Sequence, residues 1–194
     1  MRPVAVSEIK NLVEYELERE TWRPQVMALK DCRRIRVGDH LTFLFENRDT
    51  VRYQIQEMLR IERIVKPAEV AHEVATYNEL IPAAGELSAC LLIEYESQEE
   101  RDVRLRELLG LENHVWIQVG NLPRAQARFD DRQISTDRIS AVQYVKFSLT
   151  PEQAARFPEG AKLVVDHPHY QAERVLSPQE LTELSGDLKG LAGR

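Results

Sequence analysis

Two histidines flank a proline at His167-Pro168-His169. On an extended segment, residues two apart project to the same side, so both imidazoles could reach one divalent metal ion. The proline restricts the backbone and would hold the two rings in a fixed relation. Two imidazoles do not complete a site: a metal of the zinc type needs further ligands at about 2.0 to 2.2 Å. His40, His114, Asp166 or a helical glutamate are the candidates, and Asp166 or Tyr170 could orient the rings by hydrogen bonding. The competing account is a proline-stiffened turn between two strands, in which the histidines only pack.

A second group of residues is marked by helical geometry. Val51, Ile55, Met58 and Val65 recur at helical spacing, and at about 100° per residue Glu62 falls in the middle of their arc. This pattern predicts a carboxylate facing the interior. A buried carboxylate needs a cation, hydrogen-bond donors or a metal, or else it takes up a proton; Arg34 or Arg36 is the expected partner of Glu62. Glu16, with Glu20 beside it, lines up in the same way with Ile9 and Val13, and Glu73 flanks the stripe Val70, Val74 and Tyr77. Helices that project Glu inward together with a Glu-x-x-His element form carboxylate-rich metal sites. Glu69-Val70-Ala71-His72 has that spacing, although His72 lies almost opposite Val70. The candidate metal ligands are therefore His167, His169, Glu62 and Glu73, for zinc or iron. Ion pairs with Arg33, Arg34, Arg36, Arg52, Arg60 and Arg63 are the plainer explanation of the same acids.

Other chemistries lack their signatures. There is no GxGxxG, Walker loop, GxSxG, HExxH or kinase set, and the eight glycines do not cluster where backbone amides would cradle a phosphate. Cys32 and Cys90 are the only thiols and form no CxxC, which fits reducing surroundings and argues against a disulfide framework or a thiolate zinc site. Arg124, Arg128, Arg132 and Arg138 gather around a predicted hairpin, with Arg124, Gln126 and Arg128 on one face, as a nucleic-acid surface would require. The isoelectric point near 5.5 and the interleaved Asp130, Asp131 and Asp137 favour a solvated or protein-facing surface instead.

The elements that carry these residues follow from caps, breaks and periodicity. Ser7 caps a helix from Glu8 to about Trp22, with Pro24 bending it or opening a further turn. Arg33 to Val37 and Leu41 to Phe45 form a hairpin about Gly38-Asp39. Asn47 caps a helix that ends before Pro67, and another spans about 68–81. Leu87 to Glu96 is a strand, and Ser97-Gln98-Glu99-Glu100 opens a helix to about Leu109. Val115 to Val119 pairs with Ala125 to Phe129, a polar loop covers Asp130 to Asp137, and Ile139 to Leu149 alternates as a strand. Thr150-Pro151-Glu152-Gln153 and Ser177-Pro178-Gln179-Glu180 each place a cap, a proline at the first helical position and an acid or amide at the third. Between them lie two short strands, Lys162 to Asp166 and Tyr170 to Val175. The expected class is α+β, with N-terminal helices packed on a largely antiparallel sheet. A single domain over 1–194 is the default; the dividing line, if any, separates a helical subdomain (1–82) from a β-rich region (83–194).

A chain of 194 residues with 43% apolar residues and a net charge of −6 is in the range of globular domains. Its apolar runs are far shorter than the roughly 20 residues of a membrane span. The N-terminus lacks the apolar region of a signal peptide, so a cytoplasmic address is expected.

The segment Arg34-Ile35-Arg36-Val37-Gly38-Asp39, with Thr42 to Val51 and Tyr53-Gln54-Ile55-Gln56-Glu57-Met58, resembles a bacterial family known only as a domain of unknown function. The resemblance spans nearly the whole chain and includes the closing strand, a turn like Asp166-His167-Pro168-His169-Tyr170 and a short acidic helix. It implies neighbours rather than a mechanism: members are encoded beside rubrerythrin-like proteins and iron-sulfur oxidoreductases of the heterodisulfide-reductase type. Two cysteines do not hold an iron-sulfur cluster unaided. The expectation is a cytoplasmic accessory or interaction protein of a redox or peroxide-defence system. The alternatives are a metalloprotein with a Glu/His site and nucleic-acid binding through Arg124 to Arg138.

Overall fold

Apolar and polar residues alternate along most of the strands, and this alternation wraps the sheet around a core. The structure, a computed structural model, describes residues 1–133 and 137–190. Among these the order is α1 (Leu12–Asp31), β1 (Arg34–Val37), β2 (Leu41–Glu46), α2 (Arg48–Glu62), α3 (Pro67–Asn78), β3 (Glu86–Ile93) and α4 (Gln98–Glu107). There follow β4 (Val115–Val119), β5 (Ala125–Phe129), β6 (Val142–Ser148), α5 (Pro151–Arg156), β7 (Ala161–His167), β8 (Tyr170–Val175) and α6 (Pro178–Leu188). The strands form one sheet in the order β1-β2-β3-β6-β5-β4-β7-β8, with every neighbouring pair antiparallel.

The two ends of this sheet meet. The Tyr170 hydroxyl on β8 donates to the carbonyl of Val37 at the end of β1, and Gly38 in the following turn has φ +66° with Tyr170 and Ala172 directly against it. Only a residue without Cβ takes that conformation without strain while leaving room for the neighbouring strand. The result is a nearly closed eight-stranded antiparallel barrel among the described residues, and this corrects the expected arrangement of N-terminal helices on a largely antiparallel sheet. The physical reason is that alternation reports which residues face inward and is silent on whether the sheet stays open or curls onto itself.

The barrel interior is filled by Phe43, Phe45, Leu87, Leu91, Ile117, Phe147 and Leu163, all fully buried, each contributing about 1.5 to 3 kcal/mol. Leu181, Leu184 and Leu188 of α6, and Leu105 of α4 with Leu108 and Leu111, join the same core. A second, smaller core is shared by the N-terminal segment and helices α2 and α3, through Val4, Val51, Ile55, Leu59, Val74 and Ile81. The capping signals are realised locally. Asn47 accepts from the amides of Asp49 and Thr50, and Thr150 with Gln153 and Ser177 with Glu180 form reciprocal boxes. α1 continues through Pro24 as one helix to Asp31. β2 pairs along its length with β3, so the sheet takes strands from both sides of Pro82. Positions 134–136 of the expected polar loop lie outside the described residues.

Candidate functional site

A cleft of about 540 Å³ lies between α3 and the outer wall of the barrel. Cross-strand register builds its floor. Glu46, Ser88, Lys146 and Arg128 stand opposite one another on β2, β3, β6 and β5, and Cys90 and Tyr144 form the adjacent row. Ser88, Lys146, Arg128 and Tyr144 line the cleft from the barrel, facing Glu73, Tyr77 and Leu80. Lys146 Nζ is 3.0 Å and Arg128 Nη2 3.6 Å from opposite oxygens of Glu86, so two cations share one carboxylate. At the rim, Arg132 is held by Asp130 at 2.8 Å and Glu79 at 2.6 Å.

Burial raises the pKa of both phenols in this cleft. Glu73 and Glu62 act in the same direction at Tyr77, and Cys90, Tyr77 and Glu46 do so at Tyr144. Both rings therefore stay protonated at neutral pH and can donate a hydrogen bond. Beside Tyr144, desolvation pushes the Cys90 thiol up to about 12, with Glu46 adding to the effect, which makes it an inert thiol at neutral pH. Glu46 is itself buried and shifted upward by desolvation, although Thr50 donates to it and Lys30 and Arg33 oppose the shift. Lys30 is buried over the ring of Tyr53, 5.6 Å from its centroid.

The sequence-derived ligands do not converge. Glu62 is exposed at the end of α2, which corrects its expected burial against Arg34 or Arg36. Val65, counted in the same stripe, is also exposed, so the buried face of α2 is centred on Val51, Ile55 and Leu59 rather than on Glu62. Glu73 lines the cleft. His167 and His169 sit at the β7–β8 turn, and their rings are 5.8 Å apart between centroids, with His114 5.1 Å from His167. His167 is buried and both its nitrogens are engaged: Nε2 is 3.0 Å from the Leu109 carbonyl, and Nδ1 is 3.2 Å from the His169 amide that donates to it. A metal would have to displace one of these contacts. Among the described residues, no group of three or more His, Cys, Asp and Glu side chains could hold a metal ion. Tyr170 closes the barrel instead of orienting a ligand. Asp166 accepts from Trp116 Nε1 at 3.0 Å and pairs with Arg124 at 3.0 Å.

The buried arginine of the Arg33 to Arg36 run is Arg33. Arg34 and Arg36 alternate outward on β1 while Ile35 and Val37 point into the barrel. Arg33 Nε donates to the Phe45 carbonyl at 2.8 Å and Nη2 to the Glu46 carbonyl at 3.1 Å, and the guanidinium pairs with Asp187 and, at 2.8 Å, with Glu183 of α6. On α1 the inward positions are Tyr15, Trp22, Val26 and Lys30, with Trp22 only partly covered, whereas Val13 and Glu16 face solvent. Glu57 of α2 takes the role foreseen for Glu62: it accepts from the Tyr15 hydroxyl at 2.7 Å and from Arg19 through two hydrogen bonds of 2.7 and 3.0 Å. The signal for this was present as the spacing of Tyr15, Trp22, Val26 and Lys30, which scores poorly on hydrophobicity because most of these side chains carry polar tips.

All four arginines of the expected nucleic-acid surface have carboxylate partners. Besides Arg124 with Asp166, Arg128 with Glu86 and Arg132 with Asp130, Arg138 pairs with Asp102 at 2.6 Å.

Fold and site together define a nearly closed antiparallel barrel with a helical flank and a ligand-sized cleft between the two. The chain belongs to the family described as "Protein of unknown function (DUF3501)", whose sequence profile matches residues 3–188. A crystal structure from Burkholderia pseudomallei K96243, described as a novel protein of unknown function, is similar at 31% identity with a TM-score of 0.90, covering 96% of this chain and 100% of that one. None of the curated proteins matches. No described helix is long and apolar enough to cross a membrane.

Proposed function

We propose that this protein binds a small molecule bearing a carboxylate or phosphate in the cleft between α3 and the barrel wall. The observation that carries the reading is the row Ser88, Lys146 and Arg128 on the cleft floor, where two cations share the one carboxylate of Glu86, with Tyr77 and Tyr144 lining the same cleft. A volume of about 540 Å³ falls within the roughly 300 to 1,000 Å³ of small-molecule sites, where a few convergent polar groups set orientation. Tyr77 and Tyr144 supply ring faces for an apolar body, and the basic row supplies the anchor for its charge. Isothermal titration with a panel of small aromatic carboxylates and phosphates at low ionic strength tests this. Saturable binding that weakens tenfold or more in Lys146→Met and Arg128→Met is the expected result. Absence of binding across the panel, or equal affinity in both variants, overturns the reading.

A second reading, an accessory protein for a redox or peroxide-defence system in the cytoplasm, rests on the sequence resemblance and on one surface feature. Val13 and Leu17, one turn apart on α1, are 74% and 79% exposed, and Ile61 on the adjoining α2 is 63% exposed. In this reading these side chains are the apolar surface that a protein partner would cover. The partners to try are a rubrerythrin-like protein and an iron-sulfur oxidoreductase, by pull-down from the native host with Leu17→Glu as the control. Equal recovery with that variant, or no recovery of either partner, counts against it.

A further inference from the structure

We infer that Arg52 and Trp22 form a second binding site, for a free carboxylate or phosphate, in a cavity that shares no residue with the cleft. The cavity measures about 370 Å³ and lies between the N-terminal segment, α1 and α2. The Arg52 guanidinium stacks over the Trp22 ring at 4.8 Å. Its Nε is buried without a hydrogen-bond partner. An arginine carries five N–H donors, and among the described residues none of those on Arg52 meets an acceptor; for the buried Nε–H that is costly.

The charges around it are already balanced. Glu8 is paired with Arg48 and, at 3.3 Å, with Arg2, and the hydrogen bond from Arg48 leads the effects that bring its pKa down to about 2. Glu18 is paired with Lys10. Among the described residues, that leaves Arg52 as the uncompensated charge of the cavity. Gln25 lines the same space and adds an amide to it. Contact with the Trp22 ring fixes one side of the guanidinium, and its two Nη groups, which meet no acceptor among the described residues, can take an oxyanion through paired charge-assisted hydrogen bonds.

Trp22 reports on its own occupancy, because the chain has only two tryptophans. In a Trp116→Phe background, emission from Trp22 is followed while inorganic phosphate or succinate is added, with sodium chloride at matched ionic strength as the control. The expected result is a saturable change with at least one of the two anions, and which one responds identifies the chemistry. That response should weaken at least tenfold in Arg52→Gln. It should also weaken in Arg52→Lys, which keeps the charge and loses the fork. Circular dichroism checks folding, and Arg52→Lys carries the comparison if Arg52→Gln does not fold. No change beyond the chloride control with either anion, or an undiminished response in the folded variants, overturns the proposal.

Discussion

The Tyr170 hydroxyl donates to the Val37 carbonyl at 2.7 Å and accepts from the His40 amide at 3.0 Å, so one phenol ties the last strand to both sides of the turn after the first. Tyr170→Phe leaves a carbonyl and an amide unpaired at the barrel seam and is expected to lower stability by about 1 to 3 kcal/mol in urea denaturation. Gly38→Ala should cost at least as much, because it combines a left-handed φ with a side chain driven into Tyr170 and Ala172. Wild-type midpoints in both variants would show that the seam does not hold the barrel closed.

Arg33 binds two backbone carbonyls and two acids from a fully buried position. Arg33→Met should therefore destabilise by about 3 to 5 kcal/mol, the range for breaking a buried pair, and Arg33→Met with Asp187→Leu should lose less. Burial pushes Asp187 up from 3.8 to about 6, against the pull of Arg33. The folded state thus holds more protons than the unfolded chain between about pH 4 and 6, and this contribution to stability falls as pH rises through that window. Glu57 behaves oppositely: burial opposes ionisation, but Arg19 and the Tyr15 hydroxyl prevail and bring it down from 4.5 to about 2. Its contribution is present above pH 4.5 and is lost as pH falls toward 2. Denaturation series across pH should lose the first dependence in Asp187→Asn and the second in Glu57→Gln.

The contacts of His167 require a neutral ring with its proton on Nε2, donating to Leu109 while Nδ1 accepts from His169. Burial lowers its pKa below 6.5, and His114 and His169 act in the same sense. The folded state then binds fewer protons than the unfolded chain just below 6.5. The stabilisation is present above that pH and lost as pH falls through the folded value. An NMR titration should place the His167 midpoint below 6.5, and His167→Ala should cost about 1 to 3 kcal/mol at pH 7.5 by leaving the Leu109 carbonyl unpaired. A midpoint at or above 6.5 contradicts this account.

What the sequence alone determined is what depends on near neighbours. Asn47, Ser97, Thr150 and Ser177 cap their helices because a side-chain oxygen reaches an amide two or three residues on. The hairpin through Gly38 and the pairing of Val115–Val119 with Ala125–Phe129 were legible for the same reason, since turn chemistry and period-two alternation act within a few residues. The tertiary structure decided everything that depends on distant chain segments. It closed the sheet through Tyr170 and Gly38, 132 positions apart in the chain, and it chose Arg33 over Arg34 and Arg36 because α6 brings Asp187 and Glu183 to that one position. It turned the aromatic and cationic face of α1 inward, against Tyr53 and Glu57, and left Val13 and Leu17 in solvent. It also assembled the cleft from strands and a helix whose residues are neighbours only through register. A helical wheel or an alternation pattern ranks faces by polarity within one element, whereas burial is settled by which other element arrives to cover them.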